Sequence, residues 1–545
     1  MRDESANQAP PDFLFVDYYD DNPQNRSVET QKRAFAQKTH QRKKRIAAVE
    51  RLKTVTLPLR QRLPLAYKAV AKTSKPSEDN TKDKLESEND TGAITDLRNL
   101  QFMQLTLMKR VLSPGKQLGQ GFVDPFQTAS VPMTGCMDSF FHHLRHFTIY
   151  RAYPLDSSRM SVWWWQQALC QPAIQMALLV SAASHQTAMN TLNNAPSQYL
   201  QRSIREFLRL RGDTIKTVNT LLQNPGAVAE STILIVGALT AIEALTGNVE
   251  GATAHIKGLN ALIELNGGID TLGHMTLSKL YHANIMFATL TDTIPTIPLT
   301  STWRSEIRQE AMVFYSSSDL LSYIADKPET ASQLSILGTS FFKGPWYTEL
   351  ADSIKTSLRV SQRLIQYYEV AQSRPSIILP TDNDLFLLLE HQLSCARYPA
   401  VGVETLLSCS PIAAASCLLN EPLRLTLFIY LNMRIWHFQT LPIMQKMVDA
   451  LRECLLFSRT ATVPALTGIK QAAPEILFWI LFTGGMASQG HEGHSWFVDQ
   501  ARDLAGDLGL CEWGDGREIL GRFFHTEQPE EQGGEQLWRQ LCLHA

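Results

Sequence analysis

The sequence has no cysteine before Cys136, no Cys-x-x-Cys pair, and no uncharged apolar run long enough to cross a bilayer. Each absence closes off a class of protein. Cys136, Cys170, Cys395, Cys409, Cys417, Cys454, Cys511 and Cys542 are scattered through apolar segments. That scatter predicts reduced, mostly buried thiols in a cytosolic or nuclear protein, with no zinc ribbon or finger. The longest uncharged apolar stretches include Ile476–Gly490 and Ser231–Ile242. Both fall short of the roughly 20 residues that a membrane helix needs, so no span is expected. The opening MRDESANQAPPD lacks the apolar core of a secretory signal. Alternating strand patterns closed by hairpin turns are hard to find, which points away from a sheet.

What the chain does have is a sharply uneven charge. Residues 32–53, KRAFAQKTHQRKKRIAAVERLK, hold Lys32, Arg33, Lys38, Arg42, Lys43, Lys44, Arg45, Arg51 and Lys53 against one acid, Glu50. The first 75 residues carry 16 Lys/Arg and 8 Asp/Glu, whereas the other 470 carry 35 and 45. A cationic arm on an acidic body suits a polyanion partner, nucleic acid or an anionic membrane surface. On a helical wheel Lys38, Arg42 and Arg45 share one face, Lys32 and Lys43 a second, and Arg33 and Lys44 a third. No broad apolar stripe is left to pack on a core. Phosphates would neutralise such a helix and release counterions. RAFAQKTHQRKKR partly resembles the basic region of a leucine-zipper protein. The usual Asn is absent, and positions 46, 53 and 60 are Ile, Lys and Arg, so no zipper follows. A nuclear-import signal centred on Gln41–Arg45, or a merely solvated charged helix, accounts for the same residues.

Composition divides the chain into four parts. Residues 1–70 form a basic N-terminal region with a helix at about 31–53. Residues 71–95 are polar, Leu85 being the only large apolar residue between Lys72 and Gly92. Such a segment buries too little to offset its ordering entropy and reads as a disordered linker. Residues 96–123 contain a short helix and a Gly-rich turn, and 124–545 an all-helical body. Helical texture runs through Gln166–Met189, Tyr199–Leu222 (with a break expected at Gly212), Ala227–Leu245, Ser353–Ala371, Leu385–Arg397, Leu423–Thr440, Pro442–Phe457, Pro474–Met486 and Ser495–Leu508. Pro442 and Pro474 suit a first helical position, where the missing N–H costs nothing. The fold class expected is all-α: a multi-helix body behind a disordered N-terminal region carrying one basic helix.

Patterns that could carry chemistry have simpler readings. His142 and His146 in FHHLRHF share a helical face, but no Glu or Cys completes a metal set. His491-Glu492-Gly493-His494 is one residue short of a zincin motif and lies among glycines, so a loop is expected. Gly115, Gly119 and Gly121 lack the Lys-Ser/Thr of a phosphate loop. Trp163, Trp164 and Trp165 read as core anchors with one ring at the surface. His255 reads as a packed helix residue. The sequence therefore predicts no catalytic set, metal or cofactor.

GNVEGATAHIKGLNALIELNGGIDTLG (Gly247–Gly273) places Ile256, Leu259, Leu262 and Ile263 on one helical face. Gly258 reads as a close-approach point, and Gly267 and Gly268 as a C-terminal cap. His-x-x-Gly-Leu followed by Gly-Gly resembles a landmark helix of the fungal-specific transcription factor family, with Asn266 where Arg is usual. Phe13–Asp17 ahead of a basic helix is similar to a subgroup of that family. So are Asp124-Pro125-Phe126 before Phe140, Phe141 and Phe147, and Pro474–Trp479 with Gly484-Gly485, Trp496-Phe497 and Leu537-Trp538. The resemblance spans residues 10 to 540. It implies a nuclear regulator of RNA polymerase II transcription in a filamentous fungus, governing a metabolic or secondary-metabolite gene set. Its implied partners are DNA, directly or through another protein, the nuclear import machinery and other transcription regulators. It admits a homodimer that no residue pattern here specifies, and no membrane partner. Family members often carry a six-cysteine zinc cluster, which this chain does not have. DNA contact then falls to Lys32, Arg33, Lys38, Arg42, Lys43, Lys44, Arg45 and Arg51, or to a partner.

Overall fold

Apolar residues at three- and four-residue spacing organise the chain into helices, and among the described residues there is no strand. The computed structural model describes residues 135–223, 229–316, 319–398, 408, 410–456, 465–526 and 533–542. The expected basic helix, linker and 96–123 segment lie outside the described residues.

The first half comprises α1 (Gly135–His143), α2 (Ser157–Cys170), α3 (Pro172–Leu192), α4 (Ser197–Leu222), α5 (Glu230–Leu245), α6 (Val249–Leu265), α7 (His274–Thr291) and α8 (Ser301–Glu310). The second comprises α9 (Pro328–Ile336), α10 (Asp352–Ser373), α11 (Asn383–Cys395), α12 (Pro411–Tyr430), α13 (Pro442–Leu456), α14 (Ala465–Ala472), α15 (Pro474–Ala487), α16 (His494–Asp507), α17 (Trp513–Arg522) and α18 (Gly533–Cys542). Shorter helical turns join them. π-turns follow α1 at Leu144–Thr148 and α12 at Leu431–Ile435.

Two helices are apolar on nearly every side and form the centre. In α5, Ile233, Leu234, Ile235, Leu239 and Ile242 are all buried. It packs between α6, α7 and α3, with α13 behind. In α15, Ile476 through Phe482 are buried without interruption. It packs against α16, α12, α14 and α18. The amphipathic helices α10 and α13 turn one stripe inward and a polar face outward. One continuous apolar core joins all these faces.

The ends follow local chemistry. Asn248, Thr300 and Ser410 cap α6, α8 and α12 through side-chain oxygens that accept from Gly251, Trp303 and Ala413 N–H. Proline occupies the first turn of α3, α9, α12 and α15. Gly267 and Gly268 (φ +95° and +99°) end α6, and Gly268 N–H reaches Ile263 O at 2.9 Å, as a left-handed cap requires.

Several expectations need correction. α4 runs unbroken through Gly212. The single helix expected over Gln166–Met189 is two, because Gln171, preceding Pro172, adopts extended backbone (φ −136°). Of the described thiols, Cys170, Cys511 and Cys542 are exposed, Cys395, Cys417 and Cys454 are half-buried, and none of the six forms a disulfide. These six thiols are thus not mostly buried. Finally, Pro411–Ile435 is, by length and mean hydropathy (1.3), apolar enough to cross a membrane, which the count of uncharged runs missed. Within this protein 67% of that window is buried. Its two central charges pair with each other: Arg424 Nε lies 2.7 Å from Glu421 Oε2, and Arg424 also donates to Leu393 O.

Candidate functional site

The residues assigned to nucleic-acid contact or import, Lys32 to Arg51, lie outside the described residues. Within the body, polar chemistry gathers at four places.

The first is the landmark helix. Glu243 of α5 is 1% exposed, and Arg211 of α4 donates Nε–H to its Oε1. Asn248 donates Nδ2–H to Oε2 at 2.7 Å, and His255 Nε2 stands 3.9 Å from Oε1. A buried carboxylate needs such partners to stay in a core. Burial lowers the His255 pKa, Glu243 opposes that, and Arg211 adds to it. The close approach belongs to Gly251 rather than Gly258. A Cβ on Gly251 would sit 2.7 Å from Asn248 Nδ2 and 2.8 Å from Glu243 Oε2, while one on Gly258 would meet nothing within 4 Å. Gly258 is exposed. Asn266 donates to Thr271 Oγ1 at 2.8 Å and tightens the turn after α6. This network locks three helices together.

The second lies in the core where α11 meets the π-turn. Glu390 is fully buried, and Asn432 donates Nδ2–H to its Oε1 at 3.0 Å. Glu390 Oε2 and Asn432 Oδ1 are buried without a hydrogen bond. Burial pushes Glu390 up to about 8 against the pull of Trp436 and Asn432, so it is mostly protonated at neutral pH. Nearby, the His282 ring lies tilted against Trp436 and Phe438, with centroids 5.4 and 5.8 Å away. Burial, with Lys279 adding to it, holds His282 neutral, down to about 3.

The third is an acidic junction. His274, opening α7, bridges two carboxylates: Nδ1 to Glu306 at 2.5 Å and Nε2 to Asp384 at 2.7 Å. Burial opposes its charge, yet these bonds raise its pKa. Close by, Tyr367 donates to Asp382, whose Oδ2 also accepts Leu379 N–H at 2.6 Å. Burial pushes Asp382 up to about 6.

The fourth is a cleft of about 1040 Å³ walled by α9, the end of α10, and α17. Its floor is Glu369, which accepts from Arg434 Nη2 at 3.0 Å and Thr526 Oγ1 at 2.8 Å. Arg434 comes from the same π-turn as Asn432, and is 5% exposed. Lys327 and Gln333 line one wall, and Arg517 and Glu518 the other. His525 also lines the cleft, held down to about 4 by burial and then by Arg434 and Arg517. No sequence motif pointed here. The available signal was three glycines within the ten residues of α17, WGDGREILGR.

The remaining motifs resolve structurally. The His142 and His146 rings lie tilted against each other with centroids 4.3 Å apart, and His143 Nε2 lies 2.9 Å from His185 Nδ1. Among the described residues no three His, Cys, Asp or Glu side chains are placed to hold a metal. Gly490 and Gly493 take φ of +80° and +84°, making His491–His494 a turn in which His491 bonds Gln439 O and His494 opens α16. Trp164 is buried and donates to Tyr153 Oη at 2.6 Å, with Trp163 and Trp165 half-buried beside it.

No protein-family model matches this chain, and neither a curated protein nor a solved structure resembles it significantly.

Proposed function

We propose that this protein is a nuclear regulator of RNA polymerase II transcription, serving a metabolic or secondary-metabolite gene set in a fungus, with a body that scaffolds rather than catalyses. One observation carries the reading: nine cations against one acid in residues 32–53 of a chain whose last 470 residues are net acidic. Such a segment gains from phosphate neutralisation and has no apolar stripe to turn inward. The landmark-helix resemblance supports it. The salt-bridged polar centres of the body have structural partners, which is in keeping with a scaffold.

The second reading is a co-regulator that reaches DNA through another protein, its Gln41–Arg45 run directing import. The absence of a zipper after the basic run favours this.

Binding of the full chain to duplex DNA, measured across a salt series, separates the two. Direct contact predicts a log–log salt slope that flattens by about 2–3 when Lys38, Arg42 and Arg45 become Ala, since each lost phosphate contact removes about 0.9. Unchanged affinity in that variant, together with nuclear exclusion on deleting Gln41–Arg45, selects the co-regulator. Normal nuclear entry of the chain lacking Gln41–Arg45, together with no DNA affinity of the intact chain at low salt, would overturn both.

A further inference from the structure

We propose that segment 296–310, which ends in α8, is a strap that α7 holds through a proton-gated clasp and loosens as pH rises. This inference is independent of the transcriptional reading and stands on the order of contacts along α7.

One face of α7 meets the strap rung by rung. Asn284 Oδ1 accepts Thr296 N–H at 3.2 Å. Tyr281 Oη accepts Thr300 N–H at 3.0 Å. Ser278 Oγ accepts Trp303 Nε1–H at 3.0 Å. His274 Nδ1 meets Glu306 Oε2 at 2.5 Å. Positions 274, 278, 281 and 284 keep the spacing of a single helical face, and the strap runs antiparallel to them. Ile297, Trp303 and Ile307 anchor the strap in the core beneath the rungs. The first three rungs stay neutral, burial raising the Tyr281 pKa further. Only the fourth can titrate near neutrality.

That rung differs because its second ring nitrogen is also engaged. His274 Nε2 lies 2.7 Å from Asp384 Oδ2, at the head of α11. A neutral imidazole has one N–H and can serve one carboxylate, so serving two takes another proton. The closed clasp is therefore an imidazolium that ties α8 and α11 to α7. At the start of α7 the helix dipole disfavours a cation, which leaves the carboxylates to hold the charge. Burial opposes that charge, but Asp384 and then Glu306 outweigh it and raise the His274 pKa. The clasp is thus complete below the ordinary histidine value of about 6.5 and is lost as pH rises through the higher folded value. The surroundings are mostly acidic. Burial pushes Asp382 up to about 6, with Glu310 and Asp384 adding to it, so it gains its charge as the clasp fails. Glu230 of α5 accepts Gly273 N–H at 3.0 Å beside His274, and Asp270 precedes α7. Of the cations, Lys279 sits over the Tyr153 ring at 4.1 Å, and Arg304 of α8 is exposed. Once the imidazolium is gone, Glu306 and Glu310 of α8 repel Asp382 and Asp384 beside α11.

The test is amide hydrogen exchange of the full chain from about pH 6 to 8.5, read by mass spectrometry and corrected for intrinsic exchange. Protection of 296–310 should fall at least about tenfold, the effect of one pKa unit. His274→Gln keeps a donor but never a charge. Its strap should be as poorly protected at pH 6 as the parent's at pH 8.5, with the pH dependence gone. Glu306→Gln alters a half-exposed side chain and guards against misfolding in the first variant. It should shrink the fall to about threefold or less, while the pH profile of α16 stays that of the parent. No fall in the parent, an undiminished fall in Glu306→Gln, or an equal change in the strap and α16 of that variant overturns the proposal.

Discussion

Gly251 and Gly258 stand seven residues apart in one helix, yet the structure gives them opposite roles. Gly251→Ala drives a methyl into Asn248 and the buried Glu243 carboxylate. It should destabilise the protein by about 2 kcal/mol in denaturant unfolding. Gly258→Ala enters open space and should stabilise by about 1 kcal/mol. A sequence cannot separate them, because the difference lies in Glu243 arriving from the preceding helix. Glu390 makes a second residue-scale prediction. Its folded pKa, about 8, stands above the unfolded carboxylate value, so the folded state holds a proton the unfolded chain gives up. Its contribution to stability is full below pH 4.5 and is lost as pH rises toward 8, at about 1.4 kcal/mol per pH unit. Glu390→Gln cannot ionise. Its melting temperature relative to the parent should therefore rise steadily between pH 5 and 8, measured by scanning calorimetry. A constant offset across that window would show that Glu390 is ionised in the fold.

At the scale of elements, legibility followed how much of a helix was specified locally. α15 was readable because Pro474 opens it and uninterrupted apolar residues fill it. α7 was not recognised. Its Thr276, Ser278 and Asn284 look like surface positions but are buried. Two of them are satisfied from afar: Trp303 Nε1–H donates to Ser278, and Asn284 Oδ1 accepts Thr296 N–H. The π-turn after α12 was equally invisible, since nothing in LNMRI announces a widened turn. Gly484-Gly485 was noticed, and the packing explains it. A Cβ on Gly484 would lie 2.4 Å from the fully buried Phe497 ring, where α16 crosses α15. Gly484→Ala should cost about 3 kcal/mol in chemical denaturation, the upper range for overpacking. A cost near zero would mean that α16 can slide away from α15.

For the molecule as a whole, the fold class was legible because helical periodicity persists across the body. The cleft was not, because one wall, α17, lies far along the chain from α9 and α10, and the glycines of α17 usually signal turns. Charge also reads differently at this scale. Ionisable groups in the interior hold each other or stay neutral: Arg434 with Glu369, Arg211 with Glu243, and Glu390 protonated. The body's acidity is consequently a property of its surface.

Helix α12 has a further consequence during synthesis. Its apolar faces are covered partly by α10 and α11, which precede it, and largely by α13, α14 and α15, which follow. As the chain leaves the ribosome, Pro411–Ile435 lacks most of its cover until residue 487 has emerged. For that interval the nascent protein displays a stretch as greasy as a membrane anchor, and its yield in a cell depends on what shields it until the last third arrives.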